Sequence, residues 1–89
     1  MPKATGFSRG SFGRAVRHER EKQGLSQEAF AERASVHRTY ISAIELGKVS
    51  VGLEVANGLA SALDVRLSEL VRRAEQDSAA RPVLRVRRS

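Results

Sequence analysis

Within HRTYISAIELGK, residues 37–48, a planar guanidinium (Arg38) and two short hydroxyls (Thr39, Ser42) stand beside Ala43 and are interleaved with Tyr40, Ile41 and Ile44. Bond-making chemistry is not expected of such a set, because a hydroxyl nucleophile needs a general base held beside it and the sequence shows no recognisable pairing of the two. Donating hydrogen bonds to a flat, acceptor-rich surface is open to it. At 100° per residue Ile41, Ile44 and Glu45 fall on one side of a helix, with Tyr40 on its flank. Thr39, Ser42, Ala43 and Leu46 fall on the other, and Arg38 lies beside that outer face in the first turn. A solvated face more usually carries Lys and Glu. Short side chains instead permit close approach to base edges in a DNA major groove, which is wide enough to admit a helix. Arg38 can then pair bidentately with guanine, and Thr39, Ser42 or Ala43 can meet neighbouring base edges or a thymine methyl.

The elements that must position these residues follow from spacing. Met1 to Ser11 is rich in Gly, Ser, Thr and Pro without an apolar period and reads as a flexible arm over 1–11. Ser11 offers a cap for helix one, about 12–23, which Gly24 stops. Ser26 caps helix two, about 27–34, with Gln27 and Glu28 in its first turn and Phe30, Ala31 and Ala34 inward. Helix three covers about 37–46 and ends at Gly47, which takes a left-handed C-cap without strain. Ser50 begins helix four, about 51–63, with Leu53, Ala56, Leu59, Ala60 and Leu63 on one stripe; Gly58 inside it is either a close helix contact or an unoptimised surface residue. Helix five covers about 67–76, with Leu67, Leu70, Val71 and Ala74 apolar. Residues 77–89, DSAARPVLRVRRS, read as a basic tail in preference to a short strand. The fold class is all-α, with one domain over 12–76.

Composition narrows the alternatives. The 89-residue chain has no Cys, and His18 and His37 are too far apart to suggest a metal set, so no metal and no cofactor are expected. Gly6, Gly10 and Gly13 fall in the lead, not after a strand, so no phosphate-binding loop, catalytic residue or enzymatic activity is expected. No apolar run approaches a membrane span, and the N-terminus lacks a signal-peptide centre; no membrane partner and a cytoplasmic location follow as expectations. Phe7, Phe12, Phe30 and Tyr40 form no stacking sheet for RNA. The net charge of +6 suggests a polyanionic partner, yet it divides as +4 over residues 1–20, −2 over 21–71 and +4 over 72–89. The excess therefore sits at the ends, and Arg38 reads as a directed contact and not as part of a basic coat.

Counting from Gln27, the fifth, tenth, fifteenth and eighteenth residues are Ala31, Val36, Ile41 and Ile44, where two short helices would cross. The run GLSQEAFAERASVHRTYISAIELGK resembles the Cro/repressor-type helix-turn-helix family, also called the xenobiotic-response-element family, and LASALDVRLSEL continues its pattern over about residues 12–71. RTYIS followed by IE is most like the controller proteins of restriction-modification systems, small dimeric regulators of their own operon. The resemblance implies a compact five-helix, lambda-repressor-like DNA-binding domain with the helix-turn-helix at helices two and three. It implies base reading by Arg38, Thr39, Ser42 and Ala43, phosphate contacts at Gln27 and Lys48, and a partly buried ion pair between Arg20 and Glu45. Arg14 and Arg17 are expected as further phosphate contacts from helix one. Three residues depart from the pattern: Ser35 replaces the usual turn Gly, His37 replaces a Ser, Thr or Asp cap, and Val51 replaces a common Pro.

One recognition helix reads few base pairs, so a homodimer on a double-stranded operator is expected, with half-sites about 34 Å apart. Val65, Leu67, Leu70 and Val71 are its expected interface, unless they simply finish the monomer core. Lys3 and Arg9 in the arm and Arg81, Arg85, Arg87 and Arg88 in the tail would add salt-sensitive contacts. Contact with RNA polymerase is also open to such a regulator. The rival reading is an antitoxin-like or protein-docking helical module with secondary DNA binding, which an exposed apolar groove around helix five would suit.

Overall fold

A computed structural model describes residues 7–77. Five helices occur among them: α1 (Arg9–Lys22), α2 (Gln27–Ala34), α3 (Arg38–Glu45), α4 (Leu53–Ala62) and α5 (Leu67–Glu75). The residues expected in the arm and tail at 1–6 and 78–89 lie outside the described residues.

Helix α1 starts three residues before the expected Phe12. Ser8, not Ser11, is the N-cap: its Oγ accepts from the Ser11 N–H at 3.1 Å, and the Ser11 Oγ accepts from the Ser8 N–H at 2.8 Å. Two end donors are satisfied reciprocally. Ser11, read from sequence as the cap, is the buried return arm of that pair, so residues 9–11 are helical and not part of a lead.

Four helix ends share one device. After α1, α2, α3 and α4 a residue with positive φ (Gly24, Ser35, Gly47 and Asp64) donates its N–H to the carbonyl three back, and the next residue reaches five back. Paired bonds of this kind satisfy the carbonyls a helix end leaves open. At Ser35, φ is 59°, so the unusual turn Ser does take the left-handed conformation and carries the local strain that Gly would avoid.

Around the crossing, Phe30, Ile41 and Val16 are fully buried, Ile44 is at 1 %, and Ala31 at 4 % lets α2 approach α3. Leu59, Leu63, Leu70 and Ala74 extend this core under α4 and α5. Helix α1 packs on both α3 and α5, and α4 joins α2 to α5. Two readings on this side need correction, and an open one at Gly58 is settled. The N-cap of α4 is Gly52, not Ser50, and has no side-chain cap bond. That later start turns Leu53 outward, 78 % exposed, instead of into the stripe. Gly58 is a surface residue with open space around its Cα, while the close approach is made by Gly13: a Cβ there would lie 2.1 Å from the Ile44 carbonyl oxygen. The end of α3 thus rests directly on the backbone of α1.

Candidate nucleic-acid interface

The site is built from the core outward. Arg20, on α1, grips Glu45 at the end of α3 with two bonds, Nε to Oε2 at 2.7 Å and Nη2 to Oε1 at 3.0 Å, and its Nη1 donates to the Leu25 carbonyl at 2.8 Å. Both residues are buried, at 8 % and 6 % exposure. The hydrogen bond to Glu45 is the main cause that raises the Arg20 pKa, against an opposing desolvation. A raised cation pKa contributes stability that is complete below the unfolded value and is lost only as pH rises through the folded one. For an arginine that window lies in strong alkali, so the Arg20 clamp is constant through neutral pH.

Gln27 extends the clamp. Its Nε2 donates to Glu45 Oε1 at 3.1 Å, and its Oε1 accepts from Arg38 Nη1 at 3.3 Å. A continuous chain of polar contacts therefore runs from α1 through the end of α3 and the start of α2 to the start of α3. Its outermost member is Arg38, half exposed, with its Nε also 3.8 Å from Glu28 Oε2. The expected Arg20–Glu45 pair is present, and it does more than tie two helices: it also fixes the amide beside the candidate reading residue. Because both ends of the Gln27 amide are used, a phosphate at the start of α2 would meet the free backbone N–H groups of the first turn more readily than this side chain.

Helix α3 carries the remaining candidates. Its N-cap is His37, whose Nδ1 accepts from the Thr39 N–H at 3.3 Å, so the imidazole does supply the cap that the sequence left in doubt. The Thr39 hydroxyl lies 2.9 Å from the same nitrogen. Thr39 is thereby tied to its cap by its hydroxyl, and the residue is exposed. Ser42 and Ala43 are partly exposed on the same face. Leu46 continues that face at 60 % exposure, a residue the sequence reading placed there without assigning it a contact. Its exposure results from α3 ending at Glu45 and Gly47 turning the chain away.

Lys48 is exposed just past α3, its N–H bonded to the Ala43 carbonyl. Gly47 packs against Gly10, so Lys48 lies near the Arg9 end of α1: a Cβ on Gly47 would meet the Gly10 Cα at 2.9 Å. Arg17 is exposed and bonded to Glu21 at 2.9 Å, which lowers the Glu21 pKa, and Glu21 also lies 3.9 Å from Arg20. Arg14 is placed differently. Its Nε is engaged by Asp77 beyond α5, beside His18 and Arg73, so it is not brought to the Arg38 group.

The expected dimer residues also divide. Leu70 is 2 % exposed and belongs to the monomer core, so it cannot meet a second copy without unpacking; Val65, Leu67 and Val71 are partly buried around it. The open apolar surface includes two of them, Leu67 and Val71, and continues to the start of α4. A groove of about 290 Å³ is lined by Phe7, Phe12, Val49, Val51, Leu67 and Val71, with Leu53 at its lip. The groove around helix five was expected from the sequence, but spacing had placed Leu53 in the core, so its share of this surface was missed.

Comparison with known proteins gives these features a setting. The helix-turn-helix family profile matches residues 16–70. Control protein C.MunI of a Mycoplasma species is 45 % identical over 51 residues, covering 57 % of this chain and 69 % of that one. Control protein C.BamHI of Bacillus amyloliquefaciens is 41 % identical over 61 residues, covering 67 % and 75 %. The crystal structure of the restriction-modification controller protein C.AhdI from Aeromonas hydrophila matches with a TM-score of 0.68 at 37 % identity, over 70 % of this chain and 94 % of that one. The clp gene regulator ClgR of Corynebacterium glutamicum matches at 0.72 and 27 % identity, over 74 % and 86 %.

Proposed function

The chain belongs to the helix-turn-helix family, and we propose that it binds a two-fold operator as a homodimer, with α3 of each copy in a major groove, and regulates its own expression. Membership makes it a DNA-binding transcriptional regulator, with an all-helical fold among the described residues. The observation that carries the finer reading is the outer face of α3. Arg38, Ser42, Ala43 and Leu46 form a strip with two short side chains, Ser42 and Ala43, between the longer Arg38 and Leu46, while the same helix is held from behind by the Arg20–Glu45–Gln27 chain. A base-reading helix needs this combination: free edges in front and a fixed orientation behind.

In this reading Arg38 reads guanine, Ser42 and Thr39 meet adjacent edges, and Ala43 and Leu46 cover a thymine methyl or sugar. The N-terminus of α2 at Gln27, with Lys48, grips phosphates on either side, and Arg17 reaches a further one. Arg9 lies near Lys48, at the C-terminal end of α3. Arg14, tied to Asp77, takes no part. Such a protein works in the cytoplasm on the bacterial nucleoid, is not an enzyme, and any contact with RNA polymerase follows from where it sits on the promoter.

The dimer surface keeps Leu67 and Val71, loses the buried Leu70, and extends along the groove between α5 and the start of α4. Leu53, largely exposed, lines this apolar groove, so one face offers both a protruding apolar side chain and a hollow, which suits a two-fold contact. The C. proteins named above are a restriction-modification controller and two control proteins, and similarity to them supports the autoregulatory reading.

The test is a retardation titration on DNA upstream of its own gene and on unrelated duplex. A retarded species of two protein copies at low concentration supports the reading. Equal affinity for both DNAs would leave a docking module as the better account.

A further inference from the structure

Glu28 is the second residue of α2 and has no role in the core; its side chain is 77 % exposed. Its carboxylate lies 3.8 Å from Arg38 Nε, while Gln27 Oε1 holds the same guanidinium at Nη1. An exposed pair of this length adds little to the stability of the fold. An acid in a first turn does suit the helix dipole, but that preference would be met equally by an acid pointing away from α3. Here the acid stands one residue from the phosphate-gripping start of α2 and next to the one cation on the reading face of α3.

We propose that Glu28 is a specificity-determining residue that holds Arg38 in reserve and so selects against sequence-independent DNA. The inference rests on the base-reading role of Arg38. On DNA without the right base, Arg38 stays on Glu28 and Gln27; it is neutralised there and adds no phosphate contact. The carboxylate itself repels the backbone, most strongly at low salt. Where guanine presents O6 and N7 at the right position, two good acceptors replace both intramolecular partners and Arg38 leaves. The carboxylate therefore weakens all complexes but weakens non-specific ones more, and the difference is the gain in selectivity.

The experiment uses the full chain, the Glu28→Gln and Arg38→Ala variants and the double variant, with unfolding midpoints confirming that each is folded. The probes are a duplex selected by the protein from a random pool and a scrambled duplex of equal length, titrated at two salt concentrations. Glu28→Gln should tighten scrambled-duplex binding about five-fold at low salt but selected-duplex binding by less than about two-fold. In the Arg38→Ala background the same change should tighten scrambled-duplex binding by less than half as much. Equal tightening on both duplexes, or equal effects with and without Arg38, overturns the proposal and leaves Glu28 as a general surface charge. If Arg38→Ala keeps the wild-type preference, the base-reading role itself fails. If it loses that preference while Glu28→Gln leaves the ratio unchanged, only the inference about Glu28 fails.

Discussion

The two halves of this small domain are fastened by different means. Helices α2 and α3 have side-chain N-caps, Ser26 and His37, and α3 is held at its far end by the buried Arg20–Glu45 pair. Helices α4 and α5 have Gly52 and Arg66 as N-caps with no side-chain cap bond. They are held mainly by apolar contacts around Leu59, Leu63 and Leu70, with polar ties past their C-terminal ends, Gln23 to the Leu63 carbonyl and Arg14 to Asp77. Apolar packing fixes how deep a helix sits more firmly than how it is turned, whereas a bidentate ion pair is directional. The half that must present atoms at set positions has the directional fastening. The other half, with Phe7 and Phe12, leaves an apolar groove open, the surface proposed to take a second copy.

Breaking the directional fastening should have the largest effect. Glu45→Ala leaves the buried Arg20 guanidinium without its carboxylate and should lower stability by about 3 to 5 kcal/mol, read by denaturant unfolding. A loss below about 1 kcal/mol would show that the pair is solvated and that the contrast between the halves is false. Next comes the backbone contact behind α3. Gly13→Ala drives a methyl into the Ile44 carbonyl and should cost about 1 to 3 kcal/mol. The outward Gly58→Ala should gain about 0.5 to 1 kcal/mol, since its surroundings are open. The groove gives a sharper contrast. Leu53→Ser should leave the monomer as stable as before and weaken self-association by about 1 to 2 kcal/mol, measured by sedimentation equilibrium. If unfolding shifts and association does not, Leu53 belongs to the fold and the dimer surface is elsewhere. The smallest effect is expected at the turn between α2 and α3, where Ser35→Gly relieves a left-handed residue and should stabilise by about 0.5 kcal/mol, part of the relief being offset by the entropy of Gly in the unfolded chain.

Much of this was legible because short helices announce themselves locally. The apolar period, Ser26 and Gly47 placed α2 and α3 to within a residue, and the inward turn of Glu45 was visible on the wheel. Three things were not legible, for physical reasons. Ser8 and Ser11 are both good caps three residues apart, and only the formed box decides that the first is the cap and the second its partner. Leu53 and Leu70 are alike as letters, and only the start of α4 at Leu53 and the packing of α5 send one outward and the other inward. The uses of Gln27 and Glu28 depend on where an arginine eleven residues beyond Gln27 comes to rest, which no local period encodes. Arg14 illustrates the same limit, since its partner Asp77 is far along the chain.

The central claim is that α3 reads sequence through Arg38. Footprinting the wild-type protein and Arg38→Ala on the selected duplex tests it most directly. The account expects two protected half-sites about one helical turn apart for the wild type, with the variant folded but protecting selected and scrambled duplex equally. Unchanged protection of the selected duplex by Arg38→Ala would contradict it.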